Sequence, residues 1–177
     1  PLTLNETDLM RTINIAFNIA LLFGFSTLFI LEIHNLINKL NETNDRLNYI
    51  ATHDALTGLY NRHSLTGALS ALKTSERPFC IVMGDLDDFK KVNDTYGHEC
   101  GDVVLKSVSE VILRNMGGGN TACRWGGEEI LMIMYGTAMD CFNTISRIKA
   151  QINNLKITHD GTPVKVSMTF GFAASGE

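Results

Sequence analysis

The sequence has 177 residues, of which 45% are hydrophobic, so it can form one globular domain with a packed core plus an additional segment. Its formal net charge is −4 at pH 7, whereas proteins that wrap a nucleic-acid polymer are expected to have an excess of basic residues. A small anionic ligand is still compatible with this charge, because its binding needs only a few local donors. The four cysteines have neither the spacing of zinc ligands nor that of a disulfide framework, so we interpret them as reduced core residues.

A run of twenty uncharged residues, 12–31, lies near the beginning of the chain, bracketed by Arg11 and Glu32. A helix of about 20 mostly apolar residues can cross the hydrocarbon core of a bilayer. The run includes the polar residues Asn14, Asn18, Ser26 and Thr27. No basic region precedes it and no small-residue cleavage site follows it, which argues against a signal peptide. We predict a membrane-spanning helix within residues 1–32, with a buried helix of a soluble bundle as the alternative.

Residues 33–52 continue as a polar helix with a heptad repeat. Its a and d positions are Ile33, Leu36, Leu40, Thr43, Leu47 and Ile50. This repeat predicts a parallel two-helix stalk that joins two copies of the chain, with an amphipathic helix packed on its own domain as the alternative. The basic residues Lys39 and Arg46 lie on this side of the apolar run, which favours an inner-membrane protein whose C-terminal domain is in the cytoplasm.

The remaining residues, 53–177, alternate between helical and strand periodicity. The predicted helices are 61–73, 102–116 and 138–155, and the predicted strands are 79–86, 121–124, 130–135 and 164–173. The two middle strands are expected to form a hairpin, because two glycines separate them. This order predicts an α/β fold, with a central mixed β-sheet flanked by helices and preceded by a long N-terminal helix.

Carboxylates follow the predicted buried strand directly, in the segment Asp85-Leu86-Asp87-Asp88. Ligand sites in α/β sheets often form at strand ends, and Mg²⁺ typically takes one or two carboxylates, with substrate phosphates as further ligands. Asp85 suits this role, whereas we interpret Asp87 and Asp88 as structural or solvated. Taken alone, the segment is also typical of a polar turn or a helix cap.

The hairpin carries a second acidic feature, Gly126-Gly127-Glu128-Glu129. The two glycines would let a bulky ligand lie against bare backbone, and two adjacent like charges are costly unless a cation or ligand offsets them. If the hairpin neighbours strand 79–86, its carboxylates and Asp85 would bracket one or two metal ions, an arrangement used for displacement at phosphorus. An ordinary turn with solvated glutamates is the alternative.

Three motifs together resemble the GGDEF family of diguanylate cyclases. They read DALTGLYNR at 54–62, DLDDFKKVNDTYGHECGD at 85–102 and RWGGEEI at 124–130. The resemblance covers residues 53–177 and implies a nucleotide-cyclase-like palm fold. It also implies a dimer that holds one GTP per subunit and condenses two GTP into cyclic di-GMP and two pyrophosphates. A GTP-binding module with little or no turnover and a membrane-anchored scaffold are the alternatives.

The resemblance also implies metal and catalytic roles. The Asp85 and Glu128 side chains and the Leu86 carbonyl would bind the metal, with two Mg²⁺ per site and Mn²⁺ as a substitute. Glu129 would either help deprotonate the 3′-hydroxyl or bind the second metal. Which of Glu128 and Glu129 is the general base stays open at this point.

The implied substrate contacts lie between the two acidic features. Asn93 and Asp102 would read guanine, because a carboxylate accepts from its N1–H and N2–H and an amide both donates and accepts. His98 would add another substrate contact, and Lys90 would contact the triphosphate. The alternatives are that Asn93 caps a turn, that His98 is a surface residue, and that Asp102 is the N-cap of the next helix.

The sequence departs from the family pattern at three places. Ile130 replaces the Phe of the signature, an apolar exchange that a buried strand tolerates. Gly117–Asn120 replaces the Arg-x-x-Asp motif of product inhibition, so we predict no feedback inhibition there. Family members continue with a helical segment whose Lys and Arg contact the phosphates. Because the sequence ends at Glu177 and starts at Pro1 rather than Met, we expect an excerpt of a longer protein and weak GTP turnover by the excerpt alone.

Overall fold

The computed structural model describes residues 6–72 and 77–175 of the chain. Its internal contacts separate two units, one that ends at Asn48 and one that begins at Tyr49. The first unit consists of most of α1 (Glu6–Thr52), a helix of 47 residues. A segment of α1 is long and apolar enough to cross a membrane, and none of that segment is buried. The predicted long N-terminal helix is therefore confirmed.

The second unit contains the other helices and a five-stranded sheet. The helices are α2 (Arg62–Leu72), α3 (Phe89–Tyr96), α4 (His98–Asn115) and α5 (Ala138–Asn153). The strands are β1 (Tyr60–Asn61), β2 (Phe79–Leu86), β3 (Thr121–Arg124), β4 (Glu129–Tyr135), β5 (Ile157–His159), β6 (Thr162–Val164) and β7 (Met168–Ala174). The main sheet has the order β1-β3-β4-β2-β7. Only its β1–β3 pair is parallel, so the sheet is mixed, as predicted.

Alternate residues of the central strand β2 contribute to different hydrophobic cores. Cys80, Val82 and Leu86 belong to the larger core, which includes buried residues of α4 and α5. Ile81 and Met83 pack against the smaller core, which includes buried residues of α2. Helices therefore flank both faces of the sheet, as predicted.

The four cysteines are buried and free, in agreement with their interpretation as reduced core residues. Burial raises the pKa of the Cys123 thiol to about 11. Burial, with the neighbouring Cys80 thiol, raises the pKa of Cys141 to about 12. Both thiols therefore stay protonated near neutral pH, and they fill space in the core.

The region after β2 contains one more helix than predicted. Residues 89–96 form α3, and α4 begins at His98 rather than at residue 102. Gly97 separates the two helices with a φ of 85°, a conformation that favours glycine. Only Phe89 is buried among the eight residues of α3. Phe89, Val92 and Tyr96 recur at helical spacing and pack on the larger core, but eight residues give a pattern too short to be recognised from sequence.

The last predicted strand, 164–173, is wrong in one respect, because it is interrupted. Val164 ends β6, which pairs with β5 in a separate two-stranded sheet, whereas β7 begins at Met168 in the main sheet. Both residues are nearly inaccessible to solvent, so the alternation of apolar residues continues across the interruption. The β5–β6 turn contains Asp160 and Gly161, both with positive φ, and was not predicted.

Gly84 in β2 provides a test of the packing between the sheet and its larger core. A Cβ atom at this position would lie 2.7 Å from both Met168 Cε and Phe170 Cε1. We expect Gly84→Ala to destabilise the domain by about 1–3 kcal/mol, because those side chains must shift within a packed core. Gly171→Ala on the adjacent strand is the control, since a Cβ there meets nothing within 4 Å. Chemical denaturation of both variants measures the difference; equal stabilities would contradict this packing.

Candidate functional site

The acidic residues of the two motifs lie where the central strands β2 and β4 meet at one end of the main sheet. We call this end of the two strands the acidic edge. β2 and β4 are antiparallel neighbours, and Asp85 is directly opposite Glu129. Residues paired in this way project to the same face, with Cβ atoms roughly 4.5–5.5 Å apart. Glu128 immediately precedes β4, and Leu86 is the last residue of β2. The predicted adjacency of the strand end and the hairpin is therefore observed.

The three carboxylates are available to a ligand. Asp85 and Glu129 are exposed, and Glu128 is partly exposed. Within residues 6–72 and 77–175, no side-chain hydrogen bond or ion pair engages any of them. In the same residues, no three His, Cys, Asp or Glu side chains converge as a metal site. The donor set suits Mg²⁺, because this ion is commonly bound by one or two carboxylates together with substrate phosphates.

The Gly-Gly turn has a defined backbone geometry. The backbone N–H groups of Trp125 and Gly126 donate to the carbonyl oxygen of Glu129, at 2.8 and 3.3 Å. A Cβ at Gly126 would lie 2.5 Å from a carboxylate oxygen of Glu129, so glycine permits this close approach. The turn therefore fixes the backbone positions of Glu128 and Glu129.

Arg124 connects this turn to the motif that opens the domain. Its Nε and Nη2 atoms donate to the Gly127 carbonyl at 3.1 and 2.9 Å. Its Nη1 atom donates to the Asp54 carboxylate at 3.2 Å. Asp54 also accepts from the backbone N–H and the hydroxyl of Thr57, at 2.9 and 2.7 Å. Sequence reasoning did not identify this link, although both residues lie within the quoted motifs.

The Asp54 carboxylate gives the link a pH dependence. Burial alone would raise its pKa, but the Thr57 hydrogen bonds and the Arg124 guanidinium hold the pKa below 3.8. The stabilisation from a lowered pKa is present above the unfolded-state value and is lost as pH falls through the folded-state value. We expect Asp54→Asn to be less stable than the parent at pH 7, with a difference that shrinks below pH 3.8. Denaturation of both proteins from pH 7 to about 3 measures it; a pH-independent difference would contradict the ionic contribution.

The two predicted guanine-reading residues lie on neighbouring helices. Asn93 is on α3, and a Cβ on Gly101 of α4 would collide with its carboxamide oxygen. Asp102 follows Gly101 and is exposed in α4. The two residues are therefore brought close together. The N-cap alternative for Asp102 is wrong, because α4 begins at His98 and its N-cap is Gly97.

The other two predicted substrate contacts lie at the starts of the same helices. Lys90 is an exposed residue of the first turn of α3, and His98 is the exposed first residue of α4. Within the described residues, no hydrogen bond or ion pair occupies either side chain. Because α3 begins directly after the turn that follows Asp85, the acidic edge and the Asn93 region are joined by a few residues.

Asp87 has the structural role that was predicted for it. Its carboxylate accepts from the hydroxyls of Ser167 and Thr169, at 2.6 and 2.8 Å. These hydrogen bonds lower the pKa of Asp87. Its backbone N–H donates to the Ser167 carbonyl at 3.0 Å. Asp87 thereby holds the turn after β2 against the segment that leads into β7.

Trp125 packs against the smaller core. It is partly buried there, and the Arg62 guanidinium carbon lies 4.4 Å from the ring centroid. This cation–π contact joins α2 to the residue that precedes the Gly-Gly turn. Together with the Arg124–Asp54 link, it connects the turn to both ends of the segment between α1 and α2.

A family model described as "Diguanylate cyclase, GGDEF domain" matches residues 51–177. The response regulator PleD of Caulobacter vibrioides is 35% identical over 133 residues, which cover 71% of this chain and 29% of PleD. The diguanylate cyclase DgcS of Shewanella oneidensis is 35% identical over 131 residues, which cover 72% of this chain and 43% of DgcS. The aligned part thus spans less than half the length of these curated relatives.

Solved structures of proteins with a GGDEF domain or diguanylate cyclase activity are also similar to this chain. A crystal structure of the coiled coil and GGDEF domain of DgcB from Caulobacter crescentus, in complex with c-di-GMP, is similar with a TM-score of 0.72. It is 27% identical and covers 82% of this chain and 80% of that chain. The diguanylate cyclase SiaD from Pseudomonas aeruginosa, in complex with its activator SiaC, has a TM-score of 0.69 and 26% identity. It covers 97% of this chain and 71% of that chain.

Proposed function

The chain belongs to the GGDEF diguanylate cyclase family, and from this membership we propose that it condenses two GTP molecules into cyclic di-GMP with release of two pyrophosphates. The observation that carries the proposal is the register that sets Asp85 opposite Glu129, beside Glu128. This register brings the acidic ends of two separate motifs to one edge of the sheet. Asn93 and Asp102 then supply a guanine-specific region on the adjoining helices.

We propose that Asp85, Glu128 and the Leu86 carbonyl hold Mg²⁺ together with the GTP phosphates, with two ions per site and Mn²⁺ as a substitute. Bound Mg²⁺ would neutralise charge on the phosphates. Lys90 would add a positive charge to the triphosphate, and His98 would contact the substrate. Gly126 and Gly127 would let GTP approach the backbone of the hairpin.

In the proposed reaction, two subunits face each other with one GTP each. The 3′-hydroxyl oxygen of each GTP forms a bond to the α-phosphorus of the other, and the bond to the departing pyrophosphate breaks. The hydroxyl proton passes to Glu129 or Glu128. The protein contributes chiefly positioning and charge stabilisation. Because one site cannot close the ring, dimerisation controls the activity.

We propose that the dimer forms through the N-terminal helix. Residues 1–32 would contain the membrane-spanning segment 12–31, residues 33–52 the coiled-coil stalk, and residues 53–177 the catalytic domain. The catalytic domain would lie on the cytoplasmic side of the inner membrane. The exposed apolar residues of α1 support this assignment, because such a surface needs lipid or another helix to cover it.

Incubation of the protein with GTP and Mg²⁺, followed by chromatographic detection of cyclic di-GMP, tests the proposed activity. We expect the product to form in a Mg²⁺-dependent way. Binding of GTP without product would instead favour the non-catalytic signalling module. The absence of both binding and product would favour the scaffold.

The loop before β3, residues 117–120, replaces the motif that the family uses for product inhibition. Asn120 uses its carboxamide oxygen to accept from the backbone N–H of Tyr135, at 2.8 Å, and the preceding residues 117–119 are all glycine. Residues 117–120 therefore carry no positively charged side chain to bind the phosphates of a cyclic dinucleotide. We expect isothermal titration to show no cyclic di-GMP binding that depends on residues 117–120. The double variant Gly117→Arg/Asn120→Asp is the control, and binding by the parent that mutation of this loop removes would contradict the prediction.

A further inference from the structure

The heptad repeat of residues 33–52 extends without interruption into the apolar segment. Counting back in steps of seven from the a and d positions of the stalk leads to Thr12, Ile15, Ile19, Leu22, Ser26 and Phe29. Residues 6–52 are helical throughout, so no break between residues 31 and 33 changes the phase of the repeat. The face that pairs in the stalk is therefore continued, in register, through the apolar segment.

Ser26 lies on this face, and its hydroxyl has no hydrogen-bond partner among the described residues. The hydroxyls of Thr12, Thr27 and Thr43 each donate to a carbonyl three or four residues earlier in α1, at 2.8 Å. Among the described residues of α1, the Ser26 hydroxyl makes no such bond. Lipid offers neither donor nor acceptor, so a hydroxyl in an apolar span is better placed against another helix.

The two asparagines of the span satisfy part of their hydrogen-bonding capacity within α1. The side-chain amide of Asn18 donates to the backbone carbonyl of Asn14 at 2.7 Å and to its side-chain oxygen at 2.9 Å. Both lie outside the a and d positions of the extended repeat.

A different face of α1 offers a competing way to pair. Ala20 and Gly24 leave a groove of about 300 Å³ between Phe17, Leu21, Phe25 and Leu28. Grooves formed by small residues allow close helix contact in membranes. At 100° per residue, this groove lies roughly 160° around the helix from Leu22 and Ser26. The two faces cannot both be the contact surface of one two-helix pair.

We propose that two copies of this chain pair within the membrane through the face formed by Ile15, Ile19, Leu22, Ser26 and Phe29, with the Ser26 hydroxyls bonding across the interface. The a and d positions of the stalk, continued into the apolar segment, fall on this face and not on Ala20 or Gly24. The inference rests on the proposed membrane-bound dimer and adds the surface that it uses. A rotation of the membrane helices would then reach the stalk without loss of register.

Disulfide crosslinking through one introduced cysteine at a time, in native membranes, tests which face of the helix pairs. The four native cysteines are buried, so the parent protein serves as the background control. With copper phenanthroline as oxidant, we expect Leu22→Cys and Ser26→Cys to form covalent dimers at least several-fold more than Ala20→Cys and Gly24→Cys. The substitution at Gly24 is tolerated, because a Cβ there meets nothing within 4 Å. Preferential crosslinking at residues 20 and 24 would overturn the proposal.

Leu36→Cys and Leu40→Cys separate the failure of this inference from failure of the dimer itself. Crosslinking in the stalk but at neither membrane pair would overturn the inference and leave the stalk dimer standing. No crosslinking at any position would overturn both. Cyclic di-GMP production by the same membranes reports on the catalytic domain independently.

The role of Ser26 has its own matched pair of variants. We expect Ser26→Ala to weaken dimerisation in the membrane roughly two- to three-fold, the size measured for hydrogen bonds between membrane helices. Thr27→Ala should leave dimerisation unchanged, because the Thr27 hydroxyl already bonds to Gly24 within its own helix. Energy transfer between labelled full-length chains in vesicles measures both. Equal effects of the two variants would remove the hydroxyl from the proposal.

Discussion

Replacing Glu128 by Gln is expected to reduce cyclic di-GMP synthesis by roughly 10²–10³-fold, the usual cost of removing one charge-stabilising group at a reacting phosphate or carbonyl. Glu128 directly precedes β4, next to the residue pair Asp85 and Glu129. The exchange keeps the size of the side chain and removes a charge that the proposed metal ions require. The loss should appear in kcat at saturating GTP and Mg²⁺, while thermal stability stays close to that of the parent.

A matched exchange elsewhere shows whether the effect is local. Glu110 is exposed in the C-terminal half of α4, outside the residues assigned to the site, and Glu110→Gln removes the same charge from the domain. It should retain parental activity. Parental activity in Glu128→Gln would remove Glu128 from the metal site. Equal losses in both variants would point to an effect of net charge instead.

Replacing Asp102 by Asn is expected to lower kcat/KM for GTP by roughly 10- to 100-fold, because a hydrogen bond to a charged group contributes about 1.5–3 kcal/mol. The carboxylate is proposed to accept from both N1–H and the 2-amino group of guanine. ITP lacks the 2-amino group, so its kcat/KM should fall less. The ratio of GTP to ITP turnover is therefore the informative measurement.

Two further variants complete this test. Asp94→Asn, at an exposed position of α3, is the matched control and should leave the ratio unchanged. Gly101→Ala should weaken GTP binding without altering Asp102, because its Cβ would displace the Asn93 carboxamide. An unchanged GTP-to-ITP ratio in Asp102→Asn would exclude this residue from guanine recognition.

The sequence was sufficient to predict elements with strong periodicity. β2 was predicted with its observed bounds, because it is a short apolar run that Pro78 precedes and an acidic turn follows. The adjacency of the two acidic motifs was a condition of the predicted metal site, and the pairing of β2 with β4 fulfils it. The split between β6 and β7 could not be predicted, since Val164 and Met168 are both buried and their spacing fits a single strand.

The contacts around the Gly-Gly turn could not be predicted, because they join residues that are distant in the sequence. Arg124 and Asp54 are 70 residues apart, and nothing in their local sequences indicates a pair. Their contact requires the parallel β1–β3 pairing, in which β1 has only two residues. Strands that short carry no periodicity, so sequence patterns could not reveal the pairing.

Manganese binding measured by electron paramagnetic resonance, in the presence of a non-hydrolysable GTP analogue, tests the central claim most directly. Mn²⁺ reports on the proposed Mg²⁺ site without requiring turnover. Binding by the parent should be lost or strongly weakened in Asp85→Asn and in Glu128→Gln. It should be retained in Asp88→Asn, which removes a nearby exposed carboxylate outside the proposed ligand set. Parental Mn²⁺ affinity in both Asp85→Asn and Glu128→Gln would show that the carboxylates at this sheet edge do not hold the metal.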